Sequence, residues 1–286
     1  GFYAPAQLVA DAIKAGVKVL AADVNASGWD CDLEASPTND DSKGRHRHCL
    51  RLGLRMIKGL SCEMAEQIVE ERNRRGAYVD LADLTRRLKL SQAVLTILAD
   101  ADALRSVASD RRAAVWQALA QEKSPRETPL FSECDDDDPI PPQLRSMEPI
   151  EEVYADYNTT GLSLKAHPIS FVRDELAQMQ CVTASDLATM RDGRRVRVAG
   201  LVLLRQRPGT AKGLTFVTLE DETGSMNLVL FIDVWKRFFR VARTSNAWLV
   251  EGKLENRKGV IHVIVGHITD LTSEVQGLQL SSRDFH

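Results

Sequence analysis

Residues 196–204 read VRVAGLVLL, a stretch in which valine and leucine alternate with other residue types. A two-residue period is typical of a β-strand with one buried face. Four more strands are predicted after it: Leu214–Glu220, Met226–Phe231, Trp248–Leu254 and Val260–Ile268. The turn Asp221–Gly224 joins the second and third strands, and a predicted helix containing Trp235 separates the third from the fourth. Five strands with a helix at this place predict an OB-fold β-barrel.

The chain before the barrel follows the 3.6-residue period of helices over residues 50–120. Residues 1–34 predict one helix and a short strand, Val17–Val24. Residues that cap helices predict four further helix starts, at Ser61, Asp80, Ser91 and Asp110. The fold class is therefore multidomain, with a helical part followed by a β-barrel.

A short turn between predicted helices, Leu54–Ser61, resembles that of a helix-hairpin-helix. Gly59 allows a tight backbone, and the first amides of the next helix, together with Lys58, are expected to hold a DNA phosphate without reading base identity. A second turn without glycine is predicted at Leu88–Ser91, and an ordinary helical hairpin is the alternative. The candidate DNA-binding residues of the two turns are Lys58, Gly59, Leu60, Ser61, Lys89 and Ser91.

The net charge of −3 hides a strong asymmetry along the chain. Residues 42–123 carry 16 Lys and Arg against 10 Asp and Glu, and residues 191–272 carry 14 against 8. Between them, residues 127–156 carry 1 against 10. Two basic blocks predict two modules that each bind a polyanion, although basic domains without such a partner also exist.

The barrel offers its own candidate contacts, because OB-folds usually bind single strands on the second and third strands and in the loops beside them. Phe216 and Phe231 are candidate stacking faces, and alternation equally allows them to point into the core. The candidate cations of the loops are Arg205, Arg207, Lys212, Arg257 and Lys258.

Residues 124–165 are predicted to form an acidic, proline-rich linker. The run Asp135–Asp138 predicts a solvated acidic tract, and no metal site is expected in the chain. Leu130 and Phe131 end a peptide that resembles a degraded sliding-clamp motif, since Glu127 stands where that motif has glutamine. An ordinary linker is the favoured interpretation, and a weak clamp contact is the alternative.

Cysteine content and hydropathy indicate the cellular compartment of the protein. The five cysteines are odd in number and widely spaced, and they form no CxxC pair, which indicates a reducing cytosol. No apolar run reaches the length of a membrane span, and no signal peptide is recognisable.

The order of these parts resembles the C-terminal third of a bacterial C-family DNA polymerase of the alpha-subunit type. The resemblance rests on these quoted segments: Gly1-Phe2-Tyr3, Asp23-Val24-Asn25, Ser27-Gly28-Trp29-Asp30, Arg51-Leu52-Gly53-Leu54, Ile57-Lys58-Gly59, Tyr157–Leu164 and His167-Pro168, followed by the barrel. The error-prone, damage-inducible branch fits best, because the chain ends soon after the barrel and the clamp-like peptide is degraded.

The resemblance implies a part of a DNA-directed DNA polymerase that acts in SOS-induced translesion synthesis and DNA repair with accessory mutagenesis proteins. It implies Mg²⁺ held by palm aspartates upstream of Gly1, so no catalytic residue is expected here and the chain alone should be inactive. The implied domains are the end of the fingers (1–41), a tandem helix-hairpin-helix module (42–123), the linker (124–165), the OB-fold domain (166–272) and a tail (273–286).

Three alternatives stay open. The first is the tail of a replicative alpha subunit, and the second is a stand-alone single-stranded nucleic-acid-binding adaptor. The third is a synthetase-type anticodon-binding module, because Phe216–Asp221 resembles such barrels as well. The helix-hairpin-helix block and the missing ATP-site motif argue against the third.

Overall fold

The computed structural model describes residues 4–35, 48–120, 145–209, 213–257, 259–273, 275 and 283–285. The chain divides into two compact units, Gly1–Leu164 and Lys165–His286. Each unit has its own hydrophobic core. Among the described residues, no helix is both long enough and apolar enough to cross a membrane.

The first unit is mainly helical. Its helices are α1 (Pro5–Lys14), α2 (Cys62–Arg75), α3 (Leu81–Leu88), α4 (Gln92–Asp100), α5 (Arg111–Ala120) and α6 (Pro149–Thr159). Its strands are β1 (Val19–Leu20), β2 (Asp32–Ala35) and β3 (His48–Arg51). Strand β3 lies between the other two, parallel to β1 and antiparallel to β2.

Polar side chains begin four of these helices where the sequence predicts, and one of them is Asp110, which caps α5 by accepting a hydrogen bond from the Ala113 amide at 2.8 Å. The Ser61 hydroxyl accepts a hydrogen bond from the Met64 amide at 3.2 Å, and the Asp80 carboxylate accepts one from the Asp83 amide at 2.7 Å. Ser91 caps α4 in the same way. The predicted helix starts at these residues are confirmed, because each cap satisfies a backbone donor that the helix itself leaves unpaired.

The helix expected before the first hairpin turn is wrong, because Leu54–Met56 forms only a single 3₁₀ turn. The amides of Leu54 and Arg55 donate to the carbonyls of Gly28 and Trp29, at 2.9 and 3.0 Å. These amides are therefore engaged by a distant loop and take no part in a helical ladder.

Helix α6 lies inside the segment predicted as a linker. Arg111 ties it to α5, because its guanidinium donates to the Glu152 carbonyl at 3.0 Å and pairs with the Asp156 carboxylate. Pro149 in the first turn of α6 and the acidic residues after it are helix-start signals. These helix-start signals are hard to recognise because the whole segment is rich in proline and acidic residues.

The second unit carries the barrel. Its strands are β4 (Cys181–Val182), β5 (Arg195–Gln206), β6 (Thr215–Asp221), β7 (Gly224–Leu230), β8 (Ala247–Arg257), β9 (Val260–Asp270) and β10 (Arg283–Phe285). Its helices are α7 (Arg173–Gln178), α8 (Ala184–Leu187), α9 (Ile232–Arg237) and α10 (Phe239–Thr244). A 3₁₀ turn, Pro168–Val172, precedes α7. The helix predicted between the third and fourth barrel strands is thus two short helices that meet at Phe238.

Strands β5 to β9 close into a ring. Strand β5 pairs antiparallel with both β6 and β8, β6 pairs with β7, β7 runs parallel to β9, and β9 pairs with β8. Val198, Leu219, Leu228 and Trp248 are completely buried inside it. The predicted fold class, a helix-hairpin-helix module followed by a five-stranded OB-fold barrel, is confirmed.

Candidate nucleic-acid interface

The two hairpin turns share one backbone design. Gly59 has a φ of +86° and Lys89 a φ of +48°, so each turn contains one residue in the left-handed region. The next residue in each turn is a leucine that packs into the core, since Leu60 and Leu90 are 7% and 8% exposed. Both leucines therefore anchor their turns, and Leu60 is not available as a contact to DNA.

A capping serine follows each leucine and opens a helix. Ser61 and Ser91 are exposed. Each hydroxyl accepts a hydrogen bond from the amide three residues further along the chain, that of Met64 or Val94. The first amides of α2 and α4 have no partner within the helix and carry the positive end of its dipole. Two helix starts with this geometry can each bind a phosphate oxygen.

Lys58 has a structural role that the sequence did not predict. Its ammonium donates to the carbonyls of Tyr157 and Asn158, at 3.1 and 3.0 Å, and its amide donates to the Thr159 carbonyl at 2.9 Å. These carbonyls belong to the last turn of α6, where a cation is favourable. Burial lowers the pKa of Lys58 below its ordinary value. The predicted phosphate contact of Lys58 therefore competes with this cap.

Lys89 differs from Lys58 in the partners of its side chain. Its side chain is exposed, and its ammonium has no hydrogen-bond or ion-pair partner in the part of the chain that the structure describes. The amide of Lys89 ends α3 by donating to the Thr85 carbonyl at 2.8 Å. The charge of the second turn is thus free to meet an anion.

The sequence predicts Arg205 to be a cation beside a barrel loop that can contact DNA, and the structure shows that it is not. Its side chain is buried, with Nε donating to the Ala242 carbonyl at 2.8 Å and Nη2 to the Ser245 carbonyl. The guanidinium lies 5.5 Å from the centre of the Trp248 ring. A β-bulge between Val202 and Leu204 shifts the alternation of β5 and turns Arg205 inward. Arg205 is therefore a core residue and is not available to DNA.

The other barrel candidates lie at or near the surface. Arg207 is exposed, and Arg257 is exposed while paired with Glu255 at 2.6 Å. Phe216 is half-buried on the outer face of β6, and Phe231 is 50% exposed just before α9. Neither ring is in the core. Four predicted contact residues lie outside the described residues: Lys212, Lys258, Leu130 and Phe131.

The outer face of β6 and β7 is poor in positive charge. Neither strand contains a lysine or an arginine. Phe216, Thr218 and Glu220 alternate outward on β6. His167 Nε2 lies 3.9 Å from a Glu220 oxygen, and the 3₁₀ turn after His167 packs on β6. Any phosphate contact to this face must therefore come from the neighbouring loops.

A partly buried ion cluster fastens the start of α7 to the β6–β7 turn. Arg173 pairs with Glu222 at 2.5 Å and with Asp221 at 3.5 Å. Burial acts to raise the pKa of Glu222, but hydrogen bonds from Arg173 outweigh it and lower that pKa. Burial also lowers the pKa of His167 to about 4, so this imidazole is neutral near pH 7. The cluster is a structural clamp.

The sequence interpretation missed a basic cleft on the barrel, defined by Arg194, Arg195, Lys253 and His267. The cleft has a volume of about 1070 Å³ and lies across the start of β5, the middle of β8 and β9. Arg195 is in register with Lys253, which is in register with Ile264. The signal was present, since Arg195 and Lys253 occupy outward positions of the alternation, but only the closed barrel shows that they share one cleft.

Two family models match the chain, one on each unit. The model described as a helix-hairpin-helix motif matches residues 16–114, and the model described as an OB-fold nucleic acid binding domain matches residues 196–271. The two matches fall on the helical module and on the barrel. They define a nucleic-acid-binding protein built from two modules.

Relatives along the whole chain are more specific. The chain is 56% identical to an error-prone DNA polymerase of Rhodopirellula baltica, which it matches over 24% of that protein's length. It is 42% identical to the error-prone DNA polymerase 1 of Rhizobium meliloti and to an error-prone DNA polymerase of Pseudomonas fluorescens, over 27% and 28% of their lengths. All three alignments cover 100% of the chain. The chain is thus similar along its whole length to a C-terminal part of error-prone DNA polymerases, and it spans about a quarter of their length.

Among solved structures, an asparaginyl-tRNA synthetase from Pyrococcus horikoshii is 24% identical to the chain. The alignment covers 32% of this chain and 22% of the synthetase chain. Its TM-score of 0.28 is too low to carry an argument for the synthetase-type alternative.

Proposed function

We propose that this chain is the DNA-binding part of an error-prone DNA polymerase that acts in translesion synthesis and DNA repair. The observation that carries the proposal is the presence of two hairpin turns and an OB-fold barrel on one chain that aligns from end to end with such polymerases. The helical module holds duplex DNA behind the primer terminus, and the barrel holds the single-stranded template.

The hairpin turns support the duplex contact. Each presents a helix start capped by an exposed serine, and the second adds the ammonium of Lys89, which has no partner among the residues that the structure describes. These groups bind phosphate oxygens and do not read bases, which suits a polymerase that must hold every sequence equally.

The barrel supports the single-strand contact through exposed cations together with accessible aromatic rings. Arg207 follows β5, Arg257 is the last residue of β8, and Phe231 presents half of its surface to solvent.

The wider proposal concerns the polymerase to which the chain would belong. Nucleotidyl transfer in polymerases uses two Mg²⁺ ions held by carboxylates, and we assign no such residues to this chain. The chain alone should therefore extend no primer. Accessory mutagenesis proteins, a weak sliding-clamp contact through Leu130 and Phe131, and a cytoplasmic location are parts of the same proposal.

The test is fluorescence anisotropy of the 286-residue chain with single-stranded, duplex and primer–template DNA over a salt series. We expect the primer–template to bind tightest, with a steep decrease in affinity as salt rises, because both modules then release counterions from one ligand. Absence of binding to all three DNAs at low salt would contradict the proposal. Equal affinity for duplex and primer–template would remove the single-strand role of the barrel.

A further inference from the structure

We infer that the basic cleft binds the phosphate backbone of single-stranded DNA, so that the strand crosses β5, β8 and β9 of the barrel. This inference rests on the proposed function, because it takes from it that the barrel meets a single strand. It goes further in placing that strand on a different face from the one that β6 and β7 form.

The charges of the cleft are available to a ligand. Arg194, Arg195 and Lys253 are exposed, and none of them has a carboxylate partner within the described ranges. The carboxylate that lines the cleft, Glu251, is already paired with Arg197 at 3.0 Å. The cleft therefore presents three cations without internal compensation, which is the requirement for binding a polyanion.

These cations gather where β5 begins beside β8. Arg195 and Lys253 are directly opposite each other on β5 and β8, so their backbones are about 5 Å apart. Arg194 precedes β5, where its carbonyl accepts a hydrogen bond from the Leu254 amide at 2.8 Å. Arg194 and the Arg195–Lys253 pair therefore place three positive charges together at one end of the β5–β8 ladder, more than a single small anion needs.

The floor of the cleft allows close approach and stacking. Gly266 leaves the backbone of β9 without a side chain in the cleft, and an added Cβ there would meet nothing nearer than the Glu251 carbonyl at 3.5 Å. The exposed imidazole of His267 is held edge-on by Phe238, with ring centroids 4.7 Å apart. A ring fixed in this way offers a planar surface to an unpaired base.

The contrast with the opposite face favours the cleft. Strands β6 and β7 contain no lysine or arginine, and the Glu220 end of their outer face is partly covered by the 3₁₀ turn after His167. Because phosphate contacts dominate the affinity of proteins for single strands, the strand should follow the cations.

The test compares two triple variants of the 286-residue chain. Arg194→Gln/Arg195→Gln/Lys253→Gln removes three charges from the cleft, and Lys236→Gln/Arg237→Gln/Arg240→Gln removes three exposed charges elsewhere on the same barrel. Affinity for a fluorescent thymidine oligonucleotide is measured over a salt series, and thermal unfolding confirms that each variant is folded. The cleft variant should lose at least about tenfold in affinity and about two units of salt slope, and the control much less.

The outcomes separate the inference from the proposed function. If the unaltered chain binds duplex but no single strand, the proposed role of the barrel fails and the inference fails with it. If it binds single strands and the control variant loses as much as the cleft variant, only the inference is overturned.

A second measurement needs no variant and so covers the case in which the cleft triple does not fold. The unaltered chain is acetylated with and without the oligonucleotide, and the modified lysines are read by mass spectrometry. Protection of Lys253 by several-fold, with Lys236 unprotected, supports the inference. Equal modification of Lys253 in both samples overturns it.

Discussion

The two hairpin turns of the helical module have the same backbone and use their lysines differently. Each has a left-handed residue, a buried leucine and a capping serine in the same order. In the first turn the left-handed position is Gly59, and the neighbouring Lys58 is tied to the end of α6. In the second turn the left-handed residue is itself a lysine, Lys89, whose charge is unpaired among the described residues.

The difference separates two tasks that a hairpin turn can perform. The first turn joins distant parts of the helical module, because Lys58 and α6 are about a hundred residues apart in the chain. Within the described part of the chain, the ammonium of Lys89 in the second turn makes no such contact and is left to solvent. We therefore propose that the first turn contributes mainly to stability and that the side chain of the second turn contributes mainly to phosphate binding.

The largest expected effect tests what the turns share. Leu60→Ala and Leu90→Ala should each lower the free energy of unfolding by about 2–5 kcal/mol, because both side chains are buried in the same core. Calorimetric unfolding measures both. The control is Leu8→Ala, which should change the free energy of unfolding little because Leu8 is 57% exposed. A loss below about 1 kcal/mol at either leucine would mean that its turn is not anchored.

The left-handed position distinguishes the two turns. Gly59→Ala should cost about 1–2 kcal/mol, because φ is +86° and an added Cβ meets only ordinary contact, 3.5 Å from Ile97. Lys89→Gly should change stability by less than about 0.5 kcal/mol, since relief of strain is offset by the greater freedom of glycine in the unfolded chain. The same calorimetry compares them, and a Gly59→Ala chain as stable as the original would contradict this account.

The capping serines should be equivalent. Ser61→Ala and Ser91→Ala should each cost about 1 kcal/mol, because each removes the acceptor for one amide at a helix start. Thermal unfolding of the two variants under one set of conditions gives the comparison. Ser61→Thr and Ser91→Thr retain the hydroxyl and should recover most of the loss. If the threonine variants fail to recover it, capping is not the cause.

The smallest effect on stability belongs to the lysines. Lys58→Met keeps most of the side-chain stem, removes the cation from the end of α6, and should cost about 0.5–1 kcal/mol. Lys89→Met should change stability less, because its ammonium has no partner in the described part of the chain. Equal melting temperatures for the two variants would show that the cap of α6 contributes nothing.

Much of this architecture follows from local sequence signals. Ser61 and Gly76 bound α2 as predicted, and the two-residue period from Val196 onward predicts the barrel strands. Such signals act between residues a few positions apart, so a single sequence displays them.

The site was less predictable, because its features depend on contacts between distant residues. No sequence signal near Arg205 predicts the β-bulge that directs its side chain into the core. The contact between Lys58 and α6 spans a stretch whose composition predicts a linker. The basic cleft exists only when β5 and β8 are paired, since Arg195 and Lys253 are far apart along the chain.

The central claim, that the helical module holds duplex DNA through its turns, is tested most directly by the salt dependence of duplex binding. The original chain is compared with Lys89→Met and Lys58→Met, and Lys14→Met on α1 is the control for loss of an exposed lysine. We predict that Lys89→Met flattens the slope of log affinity against log salt by about 0.9, and Lys58→Met by less than half of that. An unchanged slope for Lys89→Met, or a larger change for Lys14→Met, would contradict the account.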